Sequence, residues 1–285
     1  MKVARARPLE VKVVIRTGFA LVCCLLQYSP AVPAQEQDGG RPFRKIREVK
    51  RYPAAEATQG VAVDREFFYA IGNHSVAKYD KKSGTRLAGW ECPEGKPLTH
   101  LNGGIVHEGR LYCAHSNYPG APMTGSIEIW DTKSMKHVGN HSFGIYAGST
   151  AWIEHHAGSW YVGFAQYQKK GAEPNRDPSW TTVLRFDQGW NRLEGWVFPD
   201  EVIRRFAGYS SSGGVIDAKR YLYVTGHDAR EVYVLKFPDA GSVLELIETI
   251  PVTFPGQGIA WDRSDPGTLY AISKADRQVV VCRLE

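Results

Sequence analysis

Three features of the sequence predict an all-β chain. A short pattern recurs five times between Gln59 and Glu285; each copy holds several strand-like runs; and tight-turn residues separate the runs. The copies open QGVAVD (from Gln59), GGIVHE (Gly103), STAWIE (Ser149), GGVIDA (Gly213) and QGIAWD (Gln257). A second, bulkier run follows each (FFYAIG, RLYCAH, SWYVGFA, YLYVTG, TLYAIS), then a third (SVAKYD, SIEIWD, TVLRFD, EVYVLKF, QVVVCRLE). The landmarks Gly60, Gly104, Thr150, Gly214 and Gly258 are spaced by 44, 46, 64 and 44 residues. Multi-strand repeats of this length point to a single β-propeller of five four-stranded blades.

The strands are justified in order along each copy. The first run is short and built from small residues, as suits a strand on a crowded central axis. The second is dense in aromatics and β-branched residues, as suits a strand covered on both faces. Asp80 through Gly84, Asp131 through Ser134, Asp187 through Gly189, and Pro238, Asp239 and Gly241 then give the Asp and Gly of tight turns. Fourth strands are expected over 85–90, 136–141, 192–197 and 243–252. The fifth copy stops at Glu285 without a fourth strand. Residues 43–52 alternate like a strand and can supply it, closing the ring and removing both sheet edges. The long third copy carries an insertion, and residues 199–206 are expected to form two helical turns with Asp200 near their start.

Residues 1–34 have the features of a secretory signal: a basic start (Lys2, Arg5, Arg7, Lys12, Arg16), an apolar stretch from Gly18 to Leu26, and Val32-Pro33-Ala34 before an expected cut. The apolar stretch is short of the roughly 20 residues that span a bilayer. An extracytoplasmic chain, periplasmic or secreted, is the expectation, with no membrane span after cleavage, a flexible segment over 35–42, and the propeller over 43–285. The leader carries +4 of the formal +5, so the remainder is near neutral. That balance argues against a nucleic-acid partner. Cys92, Cys113 and Cys282 remain, with no CxxC spacing, and are read as small buried hydrophobes.

In such a ring the starts of the first runs and the turns after the second runs converge on one mouth of the central channel. Gln59, Asn102, His115, Gln166, His227, Asp228 and Gln257 are the candidate ligand-binding residues there. His74, His115 and His227 occupy matching points of three copies, so they are the candidate ligands for a divalent metal, the one cofactor this pattern suggests. Asp228 with Asp276 is the one acid pair that could serve glycoside hydrolysis. No nucleophile elbow, phosphate loop or dinucleotide fingerprint is present. Loops 117–124 and 166–180 carry Tyr, Trp, Pro and Arg, residues suited to a binding rim.

The repeats resemble those of the β-propeller superfamily. The stretch ATQGVAVD…YAIGNHSVAKYD (57–80) resembles the opening blade of glutamine cyclotransferases, which are exported five-bladed propellers. That resemblance implies acidic catalytic residues and an aromatic pocket at the channel; no matching acid stands in the second copy, LNGGIVHEGRLYCAH. The segment GGIVHEGRLYCAH is similar to repeats of olfactomedin-type domains, which implies a binding module. Two readings follow. One is a monomeric binding or interaction protein taking a small molecule, glycan or protein at the channel mouth. The other is a small-molecule enzyme of the cyclotransferase or metal-dependent hydrolase or lactonase type using the same mouth.

Overall fold

The computed structural model describes residues 44–285, and the leader and the segment that follows it lie outside them. Twenty strands form five four-stranded antiparallel sheets. Strand β1 (Ile46–Pro53) comes first. Blade 1 contains β2 (Gly60–Val63), β3 (Phe67–Ile71), β4 (Ser75–Asp80) and β5 (Arg86–Glu91). Blade 2 contains β6 (His100–His107), β7 (Arg110–Ser116), β8 (Gly125–Asp131) and β9 (His137–Gly144). Blade 3 contains β10 (Ser149–His156), β11 (Ser159–Ala165), β12 (Thr182–Phe186) and β13 (Arg192–Val197). Blade 4 contains β14 (Gly213–Ile216), β15 (Tyr221–Thr225), β16 (Glu231–Lys236) and β17 (Glu245–Pro251). Blade 5 contains β18 (Ala260–Trp261), β19 (Thr268–Ser273) and β20 (Gln278–Leu284), and β1 completes it. The helix α1 (Asp200–Arg205) and a short 3₁₀ turn (Pro178–Trp180) are the only helical segments among the described residues.

Five apolar clusters fill the five clefts between neighbouring blades, and they explain why the middle strands are apolar on both faces. Side chains of a strand point alternately to its two sides. In β3, Phe68 and Ala70 pack toward blade 5 while Tyr69 and Ile71 pack toward blade 2. In β15, Leu222 and Val224 meet blade 3 while Tyr223 meets blade 5. Outer strands have one neighbour fewer, and β5 alternates between exposed and half-buried positions. Every outermost pairing carries a register shift, between Lys78/Tyr79, Ile129/Trp130, Arg185/Phe186, Val234/Leu235 and Glu48/Lys50. Such bulges add twist and make a poor template for further pairing.

β1 pairs antiparallel with β20 from Ile46↔Leu284 to Pro53↔Gln278. Lys45 and Glu285 exchange backbone hydrogen bonds at 2.9 and 2.8 Å, so the two ends of the described chain are tied to each other. The turns follow one design. Asp64, Asp217 and Asp262 end inner strands and accept backbone N–H bonds from the turn with one carboxylate oxygen. The second oxygen of Asp64 accepts from Tyr69 at 2.7 Å, and that of Asp217 from Tyr223 at 3.3 Å. These acids are structural turn residues. Cys113 and Cys282 are buried and Cys92 is half-buried, so the small-hydrophobe reading applies to the first two.

Candidate functional site

Glycine lets the inner strands meet at the axis. A Cβ added to Gly258 would lie 2.6 Å from the Gly60 Cα, and one on Gly60 would lie 2.9 Å from the Gly103 Cα. Side chains other than hydrogen cannot occupy that space. The largest group there is Trp152, 1% exposed, whose ring fills the room left by Gly163 and Gly214. Its Nε1 donates to Ser211 Oγ at 2.8 Å. Inter-blade bonds add to the closure: Gly258 N–H to the Gln59 carbonyl at 3.0 Å, Asn102 Nδ2 to the Thr150 carbonyl at 3.0 Å, and Thr225 Oγ1 to the Gln257 carbonyl at 2.6 Å.

Where the inner strands begin, a cup of about 170 Å³ opens. Gln59, Asn102, Ser211, Ser212 and Gln257 come from the lead-ins and first residues of inner strands, and His227 and Lys274 from turns after second strands. His100, Tyr118, Tyr167 and Tyr209 complete the polar and aromatic wall. The tyrosines are held by ring-to-ring contacts. Tyr118 lies 5.0 Å from His100 and 4.9 Å from Tyr167 between ring centres, and Tyr209 stacks on His227 at 4.2 Å. The insertion of blade 3 braces this wall. Gly171, at φ +81°, passes so close to Tyr118 that an added Cβ would sit 2.9 Å from its ring, and Gln168 N–H bonds the Gly208 carbonyl at 3.1 Å.

The polar capacity of the cup is mixed. Gln59 commits Nε2 to Asn73 Oδ1 at 2.8 Å and Asn102 commits Nδ2 to Thr150, which leaves the amide oxygens as acceptors. Lys274 brings a positive charge, and none of the lining residues is a carboxylate. Burial, followed by the charges of Lys274, His115, His74 and His227, lowers the His100 pKa to about 4, so this imidazole is neutral near pH 7. Burial raises the Tyr167 hydroxyl to about 12.

The consequence for stability has a definite sign. His100 takes up a proton in the unfolded chain near its ordinary value of 6.5, but in the folded protein only near 4. Stability is therefore intact above pH 6.5 and is expected to fall as pH drops toward 4, by on the order of 1–2 kcal/mol after allowance for the ring's partial exposure. Urea titrations of the wild type and of His100→Asn across this window measure it. The variant should show a flatter pH slope, and identical slopes would remove His100 as the cause.

Of the seven candidates read from the sequence, Gln59, Asn102, His227 and Gln257 line the cup. His115 and Gln166 are buried outside the lining. His115 accepts from Thr99 N–H with Nε2 at 3.2 Å and bonds Ser126 Oγ through Nδ1 at 2.9 Å, which ties it to blade 2. Gln166 donates to the Ala147 carbonyl at 3.3 Å. Asp228 points outward with its side chain 70% exposed and bonds His227 Nδ1 at 2.6 Å.

The imidazole cluster does not assemble into a metal centre. His74 bonds the Leu98 carbonyl at 3.2 Å, His115 is held as above, and His227 is held between Asp228 and Tyr209. Among the described residues no group of three or more His, Cys, Asp and Glu is placed to hold a metal ion. The three rings come near enough to shift His100 electrostatically, but each is anchored to its own surroundings. The acid pair fails for a related reason: Asp276 accepts from Ser273 Oγ at 2.6 Å and meets Arg51 at 3.4 Å, outside the lining.

His100 at the start of an inner strand and Lys274 just after a second strand occupy positions expected to face the mouth but were not among the chosen candidates, and Tyr209 was passed over. Tyr209 could have been found from its place just before the Ser210-Ser211-Ser212 lead-in.

The ring of five antiparallel blades defines the chain as a β-propeller protein. Solved structures with this fold include a luciferin-regenerating enzyme, 11% identical with a TM-score of 0.51 over 85% of this chain and 95% of that one. The PQQ-bound aldose sugar dehydrogenase of Streptomyces coelicolor is 11% identical with a TM-score of 0.52, over 86% of this chain and 100% of that one. At such identity the likeness is one of fold. No family profile and no curated protein matches the sequence.

Proposed function

We propose that this propeller is an exported, monomeric binding protein whose cup takes a hydroxylated small molecule of monosaccharide size, free or at the end of a glycan, with a preference for one bearing a carboxylate. The observation that carries the reading is the composition of the cup wall. It combines three tyrosines, free amide acceptors, serine hydroxyls and one lysine, without any carboxylate. Hydroxyl groups both donate and accept, so they suit such a wall better than a purely apolar or purely anionic ligand does. Aromatic faces cover the C–H faces of a sugar ring, and Lys274 favours the acidic member of a pair. The features of residues 1–34 support export.

Calorimetric titration with glucuronate and glucose tests this. Glucuronate should bind more tightly, and Lys274→Met should weaken it about tenfold while leaving glucose unchanged, the loss of one charge-assisted bond. Equal affinity for both sugars in the wild type, or none for either, would discard the reading.

An enzymatic reading of the same cup is favoured by one observation. His227 has Nδ1 engaged by Asp228 at 2.6 Å, which leaves Nε2 as the nitrogen able to take a proton from a bound ligand. Turnover of a bound uronate that disappears in His227→Gln, with binding retained, would establish it.

A further inference from the structure

A second cavity, of about 570 Å³, opens where inner strands end, on the face of the ring opposite the cup. Its wall takes His156 from the end of β10, Ile216 and Asp217 from the end of β14, and Trp261 and Asp262 from the end of β18. Lys219, Tyr223, Arg263 and Arg44 complete the polar and aromatic lining. Tyr223 and Trp261 meet edge to face at 5.1 Å and form an aromatic corner. None of these residues lines the cup.

The acids of this cavity are already spent on the protein. Asp217 accepts from the Lys219 and Tyr221 backbone N–H groups, both at 2.9 Å, and from the Tyr223 hydroxyl at 3.3 Å. Asp262 accepts from Ser264 and pairs with Lys81. The donors are not spent. Arg263 uses Nη2 on Glu154 at 2.6 Å and on the His155 carbonyl at 3.0 Å, leaving Nε and Nη1 without a partner among the described residues. The Lys219 ammonium has no carboxylate in reach among them. Among the described residues Trp261 Nε1 is shut away from solvent with no hydrogen-bond acceptor, whereas the buried Arg44 Nη1 faces a Glu248 carboxylate oxygen at 3.8 Å.

We propose that this cavity is a second ligand site, for a planar organic anion: an aromatic ring carrying a phosphate or carboxylate. The ring lies against the half-buried Trp261, which Tyr223 backs from beneath, and the anionic oxygens meet Lys219 and Arg263.

Calorimetry on the full chain with phenyl phosphate, inorganic phosphate and phenol tests the assignment. Phenyl phosphate should bind about tenfold more tightly than either half alone, and less tightly as salt rises. Lys219→Met and Trp261→Phe should each weaken it about fivefold or more, and the indole N–H resonance missing in Trp261→Phe should shift in the wild type on titration. Absence of saturable binding, or binding that ignores both substitutions, overturns the proposal. So does binding that is lost only in Lys274→Met, which would assign the ligand to the cup. The glucuronate experiment reads the cup alone, so either site can fail without the other.

Discussion

Replacing Trp152 with alanine is expected to destabilise the protein by about 4 kcal/mol, the upper range for truncating a large buried aromatic. The side chain is 1% exposed and sits where Gly163 and Gly214 have made room for it. Collapse into the space is limited, because part of its wall is the backbone of Gly163 and Gly214, and inner strands nearby are joined by inter-blade hydrogen bonds. The substitution also strands Ser211 Oγ, which loses its donor beneath the cup. Urea unfolding should therefore show a large fall in midpoint, and ligand binding at the cup should fall with it. A loss below about 1 kcal/mol would mean that the axis is not packed around this ring.

Removing residues 44–53 is the second change with a large expected effect. It strips blade 5 of β1 and with it the buried side chains of Ile46 and Tyr52, which are 7% and 5% exposed in the intact ring. Burial of two such side chains is worth roughly 3–6 kcal/mol, and the ladder of backbone bonds to β20 is lost with them. That is comparable with the whole stability of an ordinary domain. The expected result is a protein that is unfolded, or that melts at least about 15 °C lower in one transition. A peptide of residues 43–53 added in trans should recover part of the loss by strand addition. An unchanged melting temperature would show that closure contributes nothing.

Much of the architecture was legible because it is written in short-range patterns. The alternation in FFYAIG and YLYVTG sends neighbouring residues into different inter-blade cores, as Phe68 and Tyr69 do. The missing fourth strand of the last copy and the spare strand before the first were both visible in the sequence, and β1 pairs with β20 accordingly. The helix over 199–206 appeared as α1 with Asp200 and Glu201 in its first turn.

The site was legible only in part. Repeat position brought Gln59, Asn102, His227 and Gln257 to one mouth. It could not tell that His115, at the same repeat point as His227, would turn into blade 2 toward Ser126 and Glu128. Nor could it tell that Tyr209, outside the loops it singled out as a binding rim, would wall the cup beside Tyr118.

Strand number, blade number and the join of the two chain ends were determined by the sequence by itself, since each depends on neighbours a few residues apart and on a count of repeats. The cup's lining, the filled axis around Trp152 and the cavity on the far face were decided by the tertiary structure alone. Those features depend on which way individual side chains turn once backbones from different blades approach within a few ångströms, and that approach rests on glycines far apart in the sequence, such as Gly60 and Gly258.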